Sequence, residues 1–181
     1  MKLCTAILLT LFVAGMAFAA DLTDPVLVTT IGQSADLHSA KLILKKAGVD
    51  TVKMVVDKLA GADKVPANGT VAMVVGASNK GLGEARISAE SEIARAKVII
   101  AEAKKKKAKI LLIHIGGKER RGGQSDGINK TVADAADYFL VKKDGDTDNF
   151  FANLAKANKK PYVAIGKVGE GVAPLKTAFG K

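Results

Sequence analysis

The chain has one cysteine in 181 residues, no tryptophan, two histidines and four prolines. Each scarcity excludes something. The cysteine, Cys4, lies inside an apolar run from Leu3 to Met16, preceded by Met1-Lys2 and followed by Ala17-Phe18-Ala19. A basic start, a short apolar stretch and a small-x-small site are the layout of a secretory signal peptide. The stretch is too short for a comfortable membrane span. Residues 1–19 are therefore expected to be removed, leaving 20–181 as a single α/β domain that is periplasmic or secreted. A lipoprotein cysteine would follow the apolar run, whereas Cys4 precedes nearly all of it. The mature chain then has no thiol, which excludes disulfides, cysteine nucleophiles and thiolate metal sites.

The six Phe and Tyr of residues 20–181 all fall between Tyr138 and Phe179, at core-like spacing. With no stacking platform, no specific nucleic-acid motif is present. His38 and His114 have no carboxylates at ligand spacing, so neither a metal nor a cofactor is expected. Asp144-Gly145-Asp146-Thr147-Asp148 lacks the bidentate glutamate of a calcium loop and reads as a capped turn. No transmembrane segment is expected in the mature chain.

Positive charge is abundant. The 28 Lys and Arg stand against 18 Asp and Glu, and loss of Lys2 with the signal leaves 27 against 18, or +9. Lipid headgroups, cell-wall polymers, nucleic acid and small anions are the partners such a charge can meet, although lysines on solvated helix faces also serve solubility alone.

Short apolar runs alternate with helical patterns. Strands are predicted at Val26–Ile31, Val52–Val56, Val71–Val75, Ile110–Ile115, Tyr138–Val141 and Tyr162–Ile165. Near-continuous apolar runs mark strands buried on both faces of a parallel sheet. Ser34 or Asp36 is placed to cap a first helix, Ser88 a second, Asp126 a third and Asp146 or Thr147 a fourth, with a last short helix from Pro174 to Phe179. The alternation gives a three-layer α/β sandwich of flavodoxin- or Rossmann-like type, with a mostly parallel five- or six-stranded sheet. The expected order is 2-1-3-4-5, with the sixth strand at an edge.

In such sheets ligands bind beyond the carboxyl ends of the strands. Gly32-Gln33-Ser34 follows the first strand, Gly76 to Gly83 the third and Gly116 to Asp126 the fourth, with His114 near that strand's end. Glycines and helix amino termini favour anions there. The candidate ligand-binding set is Gln33, Ser34, Ser78, Asn79, Lys80, Gly81, Gly83, His114, Arg120 and Arg121. Backbone amides from Gly81 to Gly83 are the expected donors, Lys80, Arg120 and Arg121 the counter-charges, and Lys118 a further cation. Gly76 and Gly81 have P-loop spacing, but Leu82 and Gly83 occupy the lysine and hydroxyl positions, so no nucleotide motif is present.

Gly32-Gln33-Ser34 resembles the nucleophile turn of secreted lipases and esterases named for their Ser-Gly-Asn-His blocks, and Asn79 resembles their oxyanion-hole asparagine. That family takes its histidine from an Asp-x-x-His motif near the carboxyl terminus, and no histidine follows His114 here. Three longer stretches, PVLVTTIGQSA (25–35), VVGASNKGLGEARISAESE (74–92) and IHIGGKERRGGQSD (113–126), resemble an uncharacterised family of exported bacterial proteins classed as a domain of unknown function. That resemblance implies an exported α/β protein and transfers no catalytic role. Three functions follow: binding of a small anionic ligand, an exported serine hydrolase using Ser34 or Ser78 with His114, and a basic surface for anionic polymers. Amino-terminal sequencing of the exported protein is expected to start at Ala20; a chain retaining Met1 would reject the signal peptide.

Overall fold

The computed structural model describes residues 22–181; the expected signal peptide and its cleavage site lie outside them. Every residue of β1 (Val26–Ile31) and β3 (Thr70–Val75) is buried. In β4 (Lys109–His114) only the first residue is exposed, and in β5 (Tyr138–Lys142) only the last leaves the core. These are the continuous apolar runs, and they occupy the middle of the sheet. The partly buried β2 (Met54–Val56) and β6 (Tyr162–Ile165) take its edges. The order is β2-β1-β3-β4-β5-β6, as expected from the sequence, and all six strands are parallel where a mostly parallel sheet was expected.

Successive strand residues face opposite layers. Val26 and Val28 join Leu44, Leu111, Ile113 and Leu175 under α1 (Asp36–Lys46) and α6 (Val172–Ala178). Leu27 and Ile31 join Met73, Ile99, Ile128, Phe139 and Phe151 under α3 (Ala89–Lys105), α4 (Gly123–Ala133) and α5 (Phe150–Ala157). This is a six-stranded α/β sandwich with a separate apolar core on each face.

Boundaries differ from expectation where local hydrogen bonds decide them. β2 begins at Met54, because the amide of Val52 is drawn to the Asp50 carboxylate (2.9 Å) and its side chain is left 93 % exposed. Ser88 caps α3 as expected, accepting from the Ser91 N–H. The cap of α1 is Ala35, and the Ser34 hydroxyl instead holds the Asp36 side chain and amide. Helix α4 starts at Gly123, so Asp126 sits in its first turn rather than at its cap. Asn149 caps α5 by position, while the Asp146 carboxylate accepts from the Phe151 and Ala152 amides. α6 opens two residues early, which puts Pro174 in a first turn where its missing N–H is not needed.

One buried ion pair ties the layers at the carboxyl edge. Glu92 on α3 is 1 % exposed, yet its carboxylate accepts from the Gly32 amide (2.7 Å), the Gln33 side chain (3.1 Å) and Arg95 (2.8 and 2.9 Å). Arg95 also donates to the carbonyls of Thr30 and Ala60. Burial alone would raise the Glu92 pKa; the hydrogen bonds from Arg95 and Gly32 outweigh it and hold the group below its ordinary value. Removing one member leaves the other charged and unpaired. Glu92→Ala is expected to lower stability by about 3–5 kcal/mol in urea unfolding. A loss below about 1 kcal/mol, the range of exposed pairs, would reject this role.

Candidate functional site

At the carboxyl edge the turns meet backbone to backbone. Gly32 has φ 107°, and a Cβ there would lie 2.5 Å from the Gly76 carbonyl. Gly76 in turn has φ 124°, and its Cβ would strike the Arg120 side chain at 2.6 Å. The Ser78 amide bonds the Gly32 carbonyl (2.8 Å), and the Ala77 amide bonds the buried Ser125 hydroxyl (3.0 Å). The turns after β1, β3 and β4 therefore form one packed ridge, which only glycine permits at its crossing points.

Two clefts flank this ridge. One, of 610 Å³, lies between Ala77–Lys80 and Glu119–Ser125. The other, of 410 Å³, is bounded by Thr30, Gln33, Ser34, His38, Lys58 and Glu84 among others, and shares Ser78 and Lys80 with the first. The Gly76–Gly83 and Gly116–Gly123 runs thus come together, as the sequence suggested, while Gln33 and Ser34 face the neighbouring cleft.

In the larger cleft, Lys80 is 87 % exposed and reaches Glu84 only at 3.9 Å. Arg120 stands 3.5 Å from Asp36, and its buried Nε has no hydrogen-bond partner. Helix α4 begins there with no side-chain cap, and nothing would obstruct a Cβ on Gly122 or Gly123. Asn79, Gln124 and Glu119 complete the rim.

Several expected roles change. The seven residues Asn79–Ala85 form a helix, α2, rather than a loop. Its Gly81 amide is taken by the Ser78 hydroxyl (3.2 Å), and Gly83 lies within the helix, so these amides are not free anion donors. Gly81 is there for another reason: a Cβ would come 2.1 Å from the Gln33 carbonyl. Arg121 borders the cleft, but its guanidinium is already engaged. It binds Asp126 (2.8 Å), Asp148 (2.8 and 3.0 Å) and the Gly145 carbonyl, with its guanidinium 4.5 Å from the Phe150 ring centroid. Those hydrogen bonds hold the Asp148 carboxyl down at about 2 and make Arg121 a strap between two loops. Lys118 is exposed and lines neither cleft.

His114 closes β4 fully buried, 4.7 Å from the Phe151 ring, with neither ring nitrogen hydrogen-bonded. Gly145 packs on it so closely that a Cβ would stand 2.4 Å from Nε2. The Ser34 hydroxyl is bound to Asp36 and that of Ser78 to Gly81, so the expected Ser–His pairing is not assembled. Ser125, Gln124 and the Glu92–Arg95 pair escaped the sequence reading. The Gly122-Gly123 pair was the available sign that α4 starts before Asp126, because glycine is accepted at helix caps.

Burial drives the His114 pKa down to about 4, and the nearby Arg121 charge pushes the same way. The folded state thus keeps His114 neutral while the unfolded chain protonates near 6.5. Between those values the unfolded state binds more protons, so stability falls as pH drops from 6.5 toward 4 and is unaffected above 6.5. The loss is on the order of 3 kcal/mol at completion. His114→Leu is expected to flatten this part of the stability profile; an unchanged acid slope would reject the buried neutral histidine.

Among the described residues, no helix is long and apolar enough to cross a membrane. No curated protein matches the chain. A GDSL-like lipase from Bacteroides thetaiotaomicron VPI-5482 is a similar solved structure, with 15 % identity, a TM-score of 0.36 and coverage of 88 % of this chain and 85 % of the lipase. The family model described as Domain of unknown function (DUF6305) matches residues 23–179, both cores and all three turns of the ridge included, and the chain belongs to that family.

Proposed function

We propose that the protein binds a small anionic ligand, of phosphate, sulfate or carboxylate class, in the 610 Å³ cleft between the turns after β3 and β4. The observation that carries this is Arg120: a partly exposed guanidinium in the cleft wall, held only by the 3.5 Å approach of its buried Nε to Asp36, so that its charge is loosely paired. Around it, Lys80 supplies a loosely paired charge, and the uncapped start of α4 supplies amides with glycines that let a ligand approach closely. Ser78 and Asn79 add neutral hydrogen-bonding groups on the facing turn. The volume suits a small molecule. Neither serine is hydrogen-bonded to His114, which makes hydrolysis the weaker alternative, since a general base must lie within hydrogen-bond reach of its nucleophile.

Gln124 offers a clean test because it is exposed on the rim and makes no side-chain hydrogen bond among the described residues. Gln124→Glu is expected to weaken phosphate or carboxylate binding about tenfold in calorimetry, through like-charge repulsion, while the melting temperature stays unchanged. The Lys80→Ala, Arg120→Ala pair is expected to abolish measurable binding. Unchanged affinity in both variants would sink the site.

A further inference from the structure

We propose that the opposite, amino edge of the sheet is a docking face for an anionic lipid bilayer. Parallel strands joined by helical crossovers send the carboxyl termini of α1, α3, α4 and α5 to the edge where the strands begin, and α6 ends there too, its Ala178 carbonyl bonded to the Leu22 amide. That edge comprises residues 22–25, 45–53, 102–109, 130–137, 156–161 and 176–181, which hold fourteen lysines, no arginine and five carboxylates. The carboxyl-edge segments 32–38, 57–58, 76–95, 115–126, 142–150 and 166–171 hold ten cations and eleven carboxylates, with all four arginines among them. Nearly the whole net charge is therefore at the pole away from the clefts.

Each of the five amino-edge carboxylates is already matched: Asp24 with Lys181, Asp50 with Lys53, Glu102 with Lys105 and Lys106, Asp134 with Lys130, and Asp137 with Lys160. Lys45, Lys46, Lys104, Lys107, Lys109 and Lys159 are exposed and have no carboxylate within 4.0 Å among the described residues. Helix dipoles explain cations in a last turn. They do not explain Lys107 and Lys109, which lie beyond the end of α3.

The shape of the charge selects the partner. Six strands make an edge about 24 Å long, and helices on both faces widen it by about 10 Å each. Lysines occupy both helix layers and the strand starts, so the charge covers an area rather than a stripe that one polymer chain would follow. Lysine is a hydrated point charge without arginine's fork, suited to a diffuse field of headgroups. Val52, the most exposed large apolar side chain among the described residues at 93 %, projects from this edge beside Lys53 and offers an apolar tip to the headgroup region. The described chain also enters the fold here, with the Leu22 amide on the Ala178 carbonyl.

The test uses residues 20–181, which include the whole sheet and both cores, with vesicles of phosphatidylcholine alone or containing about one third phosphatidylglycerol. Sedimentation with the anionic vesicles only, released when salt rises to about 0.5 M, is the expected result. Replacing Lys45, Lys104, Lys107 and Lys109 by Gln is expected to lower the partition at least about tenfold. Replacing Lys118 and Lys167 by Gln, exposed at the other edge and outside both clefts, is expected to leave it unchanged. Equal binding by the amino-edge variant, no preference for anionic vesicles, or tighter binding to a soluble polyphosphate chain than to vesicles would each overturn the proposal. The two edges share no residues, so failure here leaves the cleft reading untouched.

Discussion

Glu92 is the constraint around which the carboxyl edge is arranged. In a doubly wound sheet the amide after the first strand is where a ligand's negative charge ordinarily arrives. Here that amide, Gly32, already holds a carboxylate from the protein's own α3, and Arg95 neutralises it. The first turn is thus satisfied internally and drawn down onto the sheet. The larger open space falls one strand along, between the turns after β3 and β4. Arg120 reaches that space because Gly76 and Gly116 have no side chains to exclude it.

The cations divide by chemistry as well as by place. Three of the four arginines make directed contacts at the carboxyl edge: Arg95 to Glu92, Arg121 to Asp126 and Asp148, and Arg120 against Asp36. A planar fork suits fixed acceptors, and two of the three are used to hold loops. The lysines fringe the helix ends, where a flexible, hydrated charge loses little freedom by staying in water. Overall basicity therefore says little about the clefts, whose surroundings carry balanced charge.

Strand positions and their order were legible because burial on both faces leaves an unbroken apolar signature, and crossover rules leave few ways to arrange it. Ser88 was legible for the same local reason: a hydroxyl before two glutamates and an apolar stripe has one obvious use. Glu92 was not. It reads as one more first-turn acid suited to the helix dipole, and its partners Gly32 and Gln33 lie sixty and fifty-nine residues away. The contacts of Arg121 were hidden for a similar reason. Adjacent to Arg120 in sequence, it engages Asp148 and Phe150, which a different strand connection supplies.

The glycine-rich run from Gly76 to Gly83 shows how far composition carries. In sequence it approximates a phosphate-binding loop, and the missing lysine and hydroxyl argue against that use. In the fold each glycine has a separate steric meaning. Gly76 admits Arg120, Gly81 admits the Gln33 carbonyl, and Gly83 meets nothing within 4 Å. Gly76 and Gly81 serve close packing between turns, and Gly81 does so at some cost in helix propensity for α2. A glycine-rich run marks where backbone must come near something. What it comes near is set by elements distant in sequence, and here the nearest neighbours are the protein's own turns.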